Sequence, residues 1–199
     1  MKIGKPIFLF FLLLTFILSG CAMQDISKDY RLNSSKKTGV AVVSLSFSGL
    51  SRPHRLAYFY FDVHLQGVGN DFKKQVRICG QILSADWNEP SGNNFISEDK
   101  PVGRLAVIEL PEGEYEFYSW DGGYAGAVGG ATTTWSATEK FSRKFKVVPG
   151  KAVYLGNIYI HVYSESYLVE GKDLRDRDLP LLYQKYPLIK SDQVLIDIK

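Results

Sequence analysis

The sequence predicts an all-β protein, an antiparallel β-sandwich with a short helical tail at its C-terminus. Beyond Thr38 the chain alternates apolar and polar residues in runs rich in β-branched and aromatic side chains, the pattern of half-buried strands. Gly, Pro and Asn punctuate those runs every few residues, and a 3.6-residue period is nearly absent before residue 166; many short strands with turn signals indicate two packed sheets. The composition agrees: 199 residues with 45% hydrophobic, 14% aromatic and 23% charged residues describe an ordinary globular chain, long enough to bury a core without metal or disulfide support.

The first strand is Val40 to Ser48, with Ala41, Val43, Leu45 and Phe47 on one face and Ser44, Ser46 and Ser48 on the other. Leu56 to Gln66 is the second, its inner face Phe59, Phe61, Val63 and Leu65. Gly67-Val68-Gly69-Asn70-Asp71 supplies turn chemistry into a third strand, Gln75 to Leu83, that carries Cys79. Asp86 to Pro101 holds Asn88, Pro90, Gly92, Asn93 and Asn94 and reads as a loop. Arg104 to Leu110 and Glu114 to Asp121 flank Pro111-Glu112-Gly113, which predicts a hairpin through a type I turn with a bulge. Thr138 to Val148 and Ala152 to Tyr163 flank Pro149-Gly150, which predicts a type II turn and a second hairpin. These strands make a domain over residues 38–165. Residues 166–199 form a tail: a charged run from Glu170 to Asp178, a brief helix before Pro187, and a last strand or docked segment at Val194, Ile196 and Ile198.

The N-terminus carries an address. Lys2 and Lys5 precede an apolar run from Ile7 to Leu18 broken only by Thr15, the length of a secretory h-region and too short to span a bilayer. Leu18-Ser19-Gly20-Cys21 then resembles the lipobox of bacterial lipoproteins. The resemblance implies that residues 1–20 are a cleaved signal peptide, that Cys21 becomes the lipidated N-terminus, and that the lipid bilayer is the first partner. More than one acyl chain is what stable anchoring requires. Ala22, where an Asp would retain such a protein in the inner membrane, implies the outer membrane, facing the periplasm. From Ala22 to Lys37 the chain is polar and without period, and residues 21–37 read as a lipidated Cys on a flexible tether. Cleavage leaves 22 basic against 21 acidic residues, a balance that predicts no nucleic-acid partner. Cys79 is then without an intrachain partner and reads as a structural thiol.

Ile108-Glu109-Leu110-Pro111-Glu112-Gly113-Glu114-Tyr115, followed by Val147-Val148-Pro149-Gly150-Lys151 and Val153-Tyr154-Leu155-Gly156, resembles a pattern in uncharacterised bacterial lipoproteins with prealbumin-like, carboxypeptidase-regulatory-type domains. The resemblance implies a prealbumin/Ig-like sandwich and says almost nothing of activity.

Chemistry-bearing constellations are sparse. His54, His64 and His161 show no paired metal-ligand spacing, and no Gly-x-Ser-x-Gly elbow occurs. Asp173, Asp176 and Asp178 alternate with Arg175 and Arg177 and read as a solvated charge run rather than a Ca²⁺ loop. No cofactor, metal or catalytic residue is expected, and the chain reads as a non-enzyme. The stretch Trp120 to Ala131, rich in Gly and Ala and followed by three threonines and Trp135, reads either as a mobile hairpin tip or as a loop whose small residues would admit a partner to the backbone, with Trp120, Tyr124 and Trp135 as anchors. The latter favours an envelope interaction or assembly module. The alternative is a glycan- or peptidoglycan-binding platform made of Tyr58, Tyr60, Tyr159 and Tyr163.

Overall fold

The computed structural model describes residues 25–48, 57–81, 94–96, 102–126, 132–136, 141–162 and 167–198. They build two sheets and one short helix. The strands are β1 (Thr38–Ser48), β2 (Ala57–Gly67), β3 (Lys73–Gln81), β4 (Asn94–Ile96), β5 (Val102–Pro111), β6 (Gly113–Gly126), β7 (Thr132–Ser136), β8 (Arg143–Val147), β9 (Ala152–Val162), β10 (Tyr167–Lys172) and β11 (Val194–Ile196), with α1 (Arg175–Lys185) between the last two. The first sheet runs β10-β9-β1-β5-β4, with β11 also paired to β9; the second runs β3-β2-β6-β7, with β8 also paired to β6.

The period-two alternation builds the core between the sheets. Ala41, Val43 and Leu45 of β1, Ala106, Ile108 and Leu110 of β5 and Val153, Leu155, Ile158 and Ile160 of β9 meet Phe61, Val63 and Leu65 of β2 and Tyr115, Phe117 and Trp120 of β6. Burying each such side chain contributes roughly 1.5–3 kcal/mol. A second cluster lies on the far side of the first sheet, where Val40, Val42, Leu105, Val107, Ala152 and Tyr154 are covered by Leu182 and Tyr186 of the C-terminal segment and by Ile189. Both faces of β1 are therefore buried, and Ser44 and Ser46 are as inaccessible as its valines.

Four expectations are corrected. Neither proline-glycine turn closes a hairpin: β5 pairs with β1 and β4 whereas β6 pairs with β2, β7 and β8, so Pro111-Glu112-Gly113 carries the chain from one sheet to the other. The Pro149-Gly150 turn does the same between β8 and β9. Its geometry is nonetheless of type II, with Gly150 at φ 68° and the Lys151 amide donating to the Val148 carbonyl at 3.1 Å. Turn residues reverse the chain; which sheet receives the next strand depends on where its apolar face is buried. Secondly, the first sheet is mixed, because β1 and β11 both run parallel to β9. The β1–β9 register shifts between Val42 and Ser44, where Gly156 adopts φ 80° and a Cβ would stand 2.8 Å from the Lys172 carbonyl, a bulge that needs glycine.

Thirdly, residues 25–37 are not a flexible tether. The Ile26 amide donates to the Val107 carbonyl at 3.1 Å, Ile26, Tyr30 and Leu32 pack on the outer cluster of the first sheet, and Ser34–Lys36 forms a 3₁₀ turn capped by Asn33. Polarity of sequence hid three apolar residues sufficient to dock it. Fourthly, strands occupy segments read as loops: β4 lies within 86–101, β6 runs on from Trp120 to Gly126, and β7 follows, its Thr132–Ser136 paired with Asp121–Ala125. Among the described residues no helix is long and apolar enough to cross a membrane.

Candidate functional site

The outer faces of the two sheets differ. That of the first is filled by the N-terminal segment and α1, while the second carries half-exposed Tyr60, His64 and Tyr118 beside exposed Gln75 and Arg77. The strands β2, β3 and β6 place these groups in adjacent rows, His64 opposite Gln75 and Asp62 opposite both Arg77 and Asp121. Like carboxylates facing each other would repel, and each is answered by a neighbouring base. Arg77 holds Asp62 with two hydrogen bonds, Nε to Oδ1 at 2.7 Å and Nη2 to Oδ2 at 2.5 Å, a fork that lets Asp62 remain 2% exposed. His64 Nε2 pairs with Asp121 Oδ1. Arg77 also lies 5.0 Å over the Tyr60 ring, and the His64 and Tyr118 rings are 6.0 Å apart. Further along, Gln66 and Ser142 donate to Glu116 at 3.0 and 2.6 Å; the Ser142 bond first, then that of Gln66, holds its carboxyl below the usual value. The result is a polar and aromatic face carried on three paired strands.

The predicted contact residues do not stay together. Trp120 is 1% exposed and lies against Phe61 with ring centroids 5.7 Å apart, so it belongs to the core and is withdrawn as a contact residue. The cause is a bulge: β2 pairs His64 with Ser119 but Leu65 with Phe117, and the extra residue at Tyr118 inverts the alternation. Tyr115 and Phe117 point inward before it and Trp120 after it. Tyr124 is a strand residue opposite Phe59 and Thr133, and Trp135 stands opposite Gly122; both side chains lie outside the described ones, as do residues 127–131.

The four tyrosines do not form one platform. Tyr60 lies on the outer face of the second sheet, whereas Tyr159 is on β9 of the first, its ring under Lys172 at 4.1 Å and its hydroxyl 3.5 Å from His161 Nδ1. Tyr58 has no described side chain, and Tyr163, His54 and Cys21 fall outside the described residues; Cys79 stands opposite Tyr60 in β3 with its side chain likewise outside them.

Asp178 corrects the reading of a solvated charge run. It is fully buried, accepting from Ser44 Oγ at 2.6 Å, Tyr154 Oη at 2.7 Å and Arg177 Nε at 2.8 Å, and Asn157 joins the network through Ser44 and Ser46 at 3.1 Å each. Burial first, and Asp178 second, raise the Tyr154 phenol above its ordinary value. The sequence held a signal for this network: Ser44, Ser46 and Asn157 are polar residues in otherwise apolar strands. Among the described residues no group of three or more His, Cys, Asp and Glu side chains could hold a metal ion. An open cleft of about 410 Å³ separates β8 from β10, lined by Phe141, Arg143, Lys144, Ile158, Val169 and Glu170.

No protein-family model matches the chain, and no curated protein does. Among solved structures it is similar to a leucine-rich repeat protein from Bacteroides thetaiotaomicron, with 15% identity and a TM-score of 0.38 over 65% of this chain. The chain spans 14% of that protein's length.

Proposed function

We propose that the protein is a bacterial lipoprotein, anchored through Cys21 in the outer membrane and facing the periplasm, whose two-sheet domain is a prealbumin/Ig-like sandwich acting as a non-enzymatic interaction or assembly module of the envelope. The lipobox-like Leu18-Ser19-Gly20-Cys21 and Ala22 support the anchor and its membrane. The observation that carries the contact role is the difference between the sheets: one outer face is closed by the chain's own segments, while the other offers Tyr60, His64, Arg77 and Tyr118 to solvent on a framework tied by the Arg77–Asp62 ion pair and the His64–Asp121 contact. Tyr124 and Trp135 continue along the same sheet. A glycan partner is a second reading, supported by Tyr60 of the expected platform and by Tyr118, whose rings stand beside Arg77 and His64.

Photo-crosslinking from position 118 in intact cells tests this. A discrete protein adduct, lost in Arg77→Glu, is the expected result. Adducts on glycan alone would favour the second reading, and none from either position 118 or position 124 would overturn the module.

A further inference from the structure

We propose that the domain lies directly against its membrane, with the edge formed by β3 and by the part of β5 beyond its pairing with β4 presented to anionic lipid headgroups. The proposal rests on the Cys21 anchor argued above. Asp25 is fixed on this edge: its Oδ1 lies 2.7 Å from Arg104 Nη2 and accepts from the Val107 amide at 3.2 Å, and the next residue, Ile26, bonds the Val107 carbonyl. Only Ala22, Met23 and Gln24 stand between the lipidated cysteine and this point. Fully extended, the four Cα steps from residue 21 to residue 25 span about 14 Å, whereas a headgroup layer alone is roughly 5–8 Å deep. Such a link leaves at most about 6–9 Å between Asp25 and the headgroup surface.

The charges at this edge suit the surface they would meet. Lys28 is exposed and Lys74 and Lys185 are half-buried; Lys74 and Lys185 both lie within electrostatic reach of Asp25, and Lys185 also within reach of Arg104 and Lys28. The acidic groups facing them are Asp25, Asp29 and Glu109. Asp25 is answered by Arg104 and, at 3.8 Å, by Lys185, and Glu109 accepts from the Tyr30 and Thr38 hydroxyls at 2.9 and 2.8 Å. With Arg31 beside Asp29, basic groups outnumber acidic ones around the chain's point of attachment, and anionic headgroups complement such a cluster. The opposite edge, β8 and β10, is three strand spacings away, about 14 Å. The outer face of the second sheet then stands upright on the membrane, open to the periplasm.

The test uses the full lipidated chain in vesicles of phosphatidylethanolamine and phosphatidylglycerol that carry a headgroup-bound quencher. A fluorophore is placed by Lys28→Cys or by Lys144→Cys, each in a Cys79→Ser background, and tritiated palmitate reports lipidation in parallel. Strong quenching at position 28 with little at position 144, and a smaller contrast when phosphatidylcholine replaces phosphatidylglycerol, is expected. Equal quenching at both positions in a palmitate-labelled chain overturns the orientation and leaves the anchor standing. A chain that takes no palmitate overturns the anchor and the orientation with it. A contrast seen in native envelopes but not in pure lipid would assign the edge to a protein and overturn the lipid contact.

Discussion

Trp120 sits two residues past Tyr118, and that single inserted residue decides whether an indole is a contact or a core group. Its burial against Phe61 predicts that Trp120→Ala destabilises the fold by about 3–5 kcal/mol in urea titration. Exposed Arg77 belongs to a pair of the opposite kind. Arg77→Ala leaves Asp62, 2% exposed, without its fork, which predicts a loss of about 1–3 kcal/mol in the same titration, recovered in the Asp62→Asn, Arg77→Gln double variant. Neither outcome could be read from strict alternation, which places Tyr118 and Trp120 on one face. A bulge leaves no local mark in Tyr118-Ser119-Trp120; it is imposed by pairing with a strand that lies more than fifty residues away in the chain.

At the scale of elements, α1 is fastened to the first sheet both by Leu182 and its apolar neighbours and by Asp178. Removing one partner of a buried charged network leaves the others unanswered, so Asp178→Ala is expected to destabilise by about 3–5 kcal/mol and to raise amide exchange throughout α1. Tyr154 gives the same clasp a pH dependence. Its phenol is raised from an ordinary value of 10.0, so its contribution is whole below that pH, where folded and unfolded chains both hold the proton, and is lost as pH climbs beyond it. Stability measured across the alkaline range should fall above about pH 10, and Tyr154→Phe should make that fall shallower. The strands themselves were legible because their residues alternate. The turns were half legible: Pro149-Gly150 specified its own φ and hydrogen bond, while its destination sheet depended on Phe145 and Val153 both turning into the same core from opposite sides.

For the whole molecule, the sequence made the all-β class plain and concealed how the ends of the chain complete it. Residues 25–37 look polar, yet Ile26, Tyr30 and Leu32 suffice to close the outer cluster together with Leu182 and Tyr186. Asp25 neutralises Arg104, which is 2% exposed and whose Nη1 reaches the Arg77 carbonyl at 2.9 Å. Asp25→Ala is therefore expected to lower stability by about 3–5 kcal/mol, a cost a free tether would not show. The candidate face was legible only in part, because Tyr60, Asp62 and His64 share a strand face in the sequence while Arg77 and Asp121 reach it through pairing. The proposed attachment of this domain to a membrane through Cys21 is tested most directly by the mass of the N-terminal peptide of the protein purified from its native membranes. A peptide beginning at Cys21 and carrying a diacylglycerol thioether is the predicted result; a peptide that retains residues 1–20, or begins at an unmodified Cys21, would contradict it.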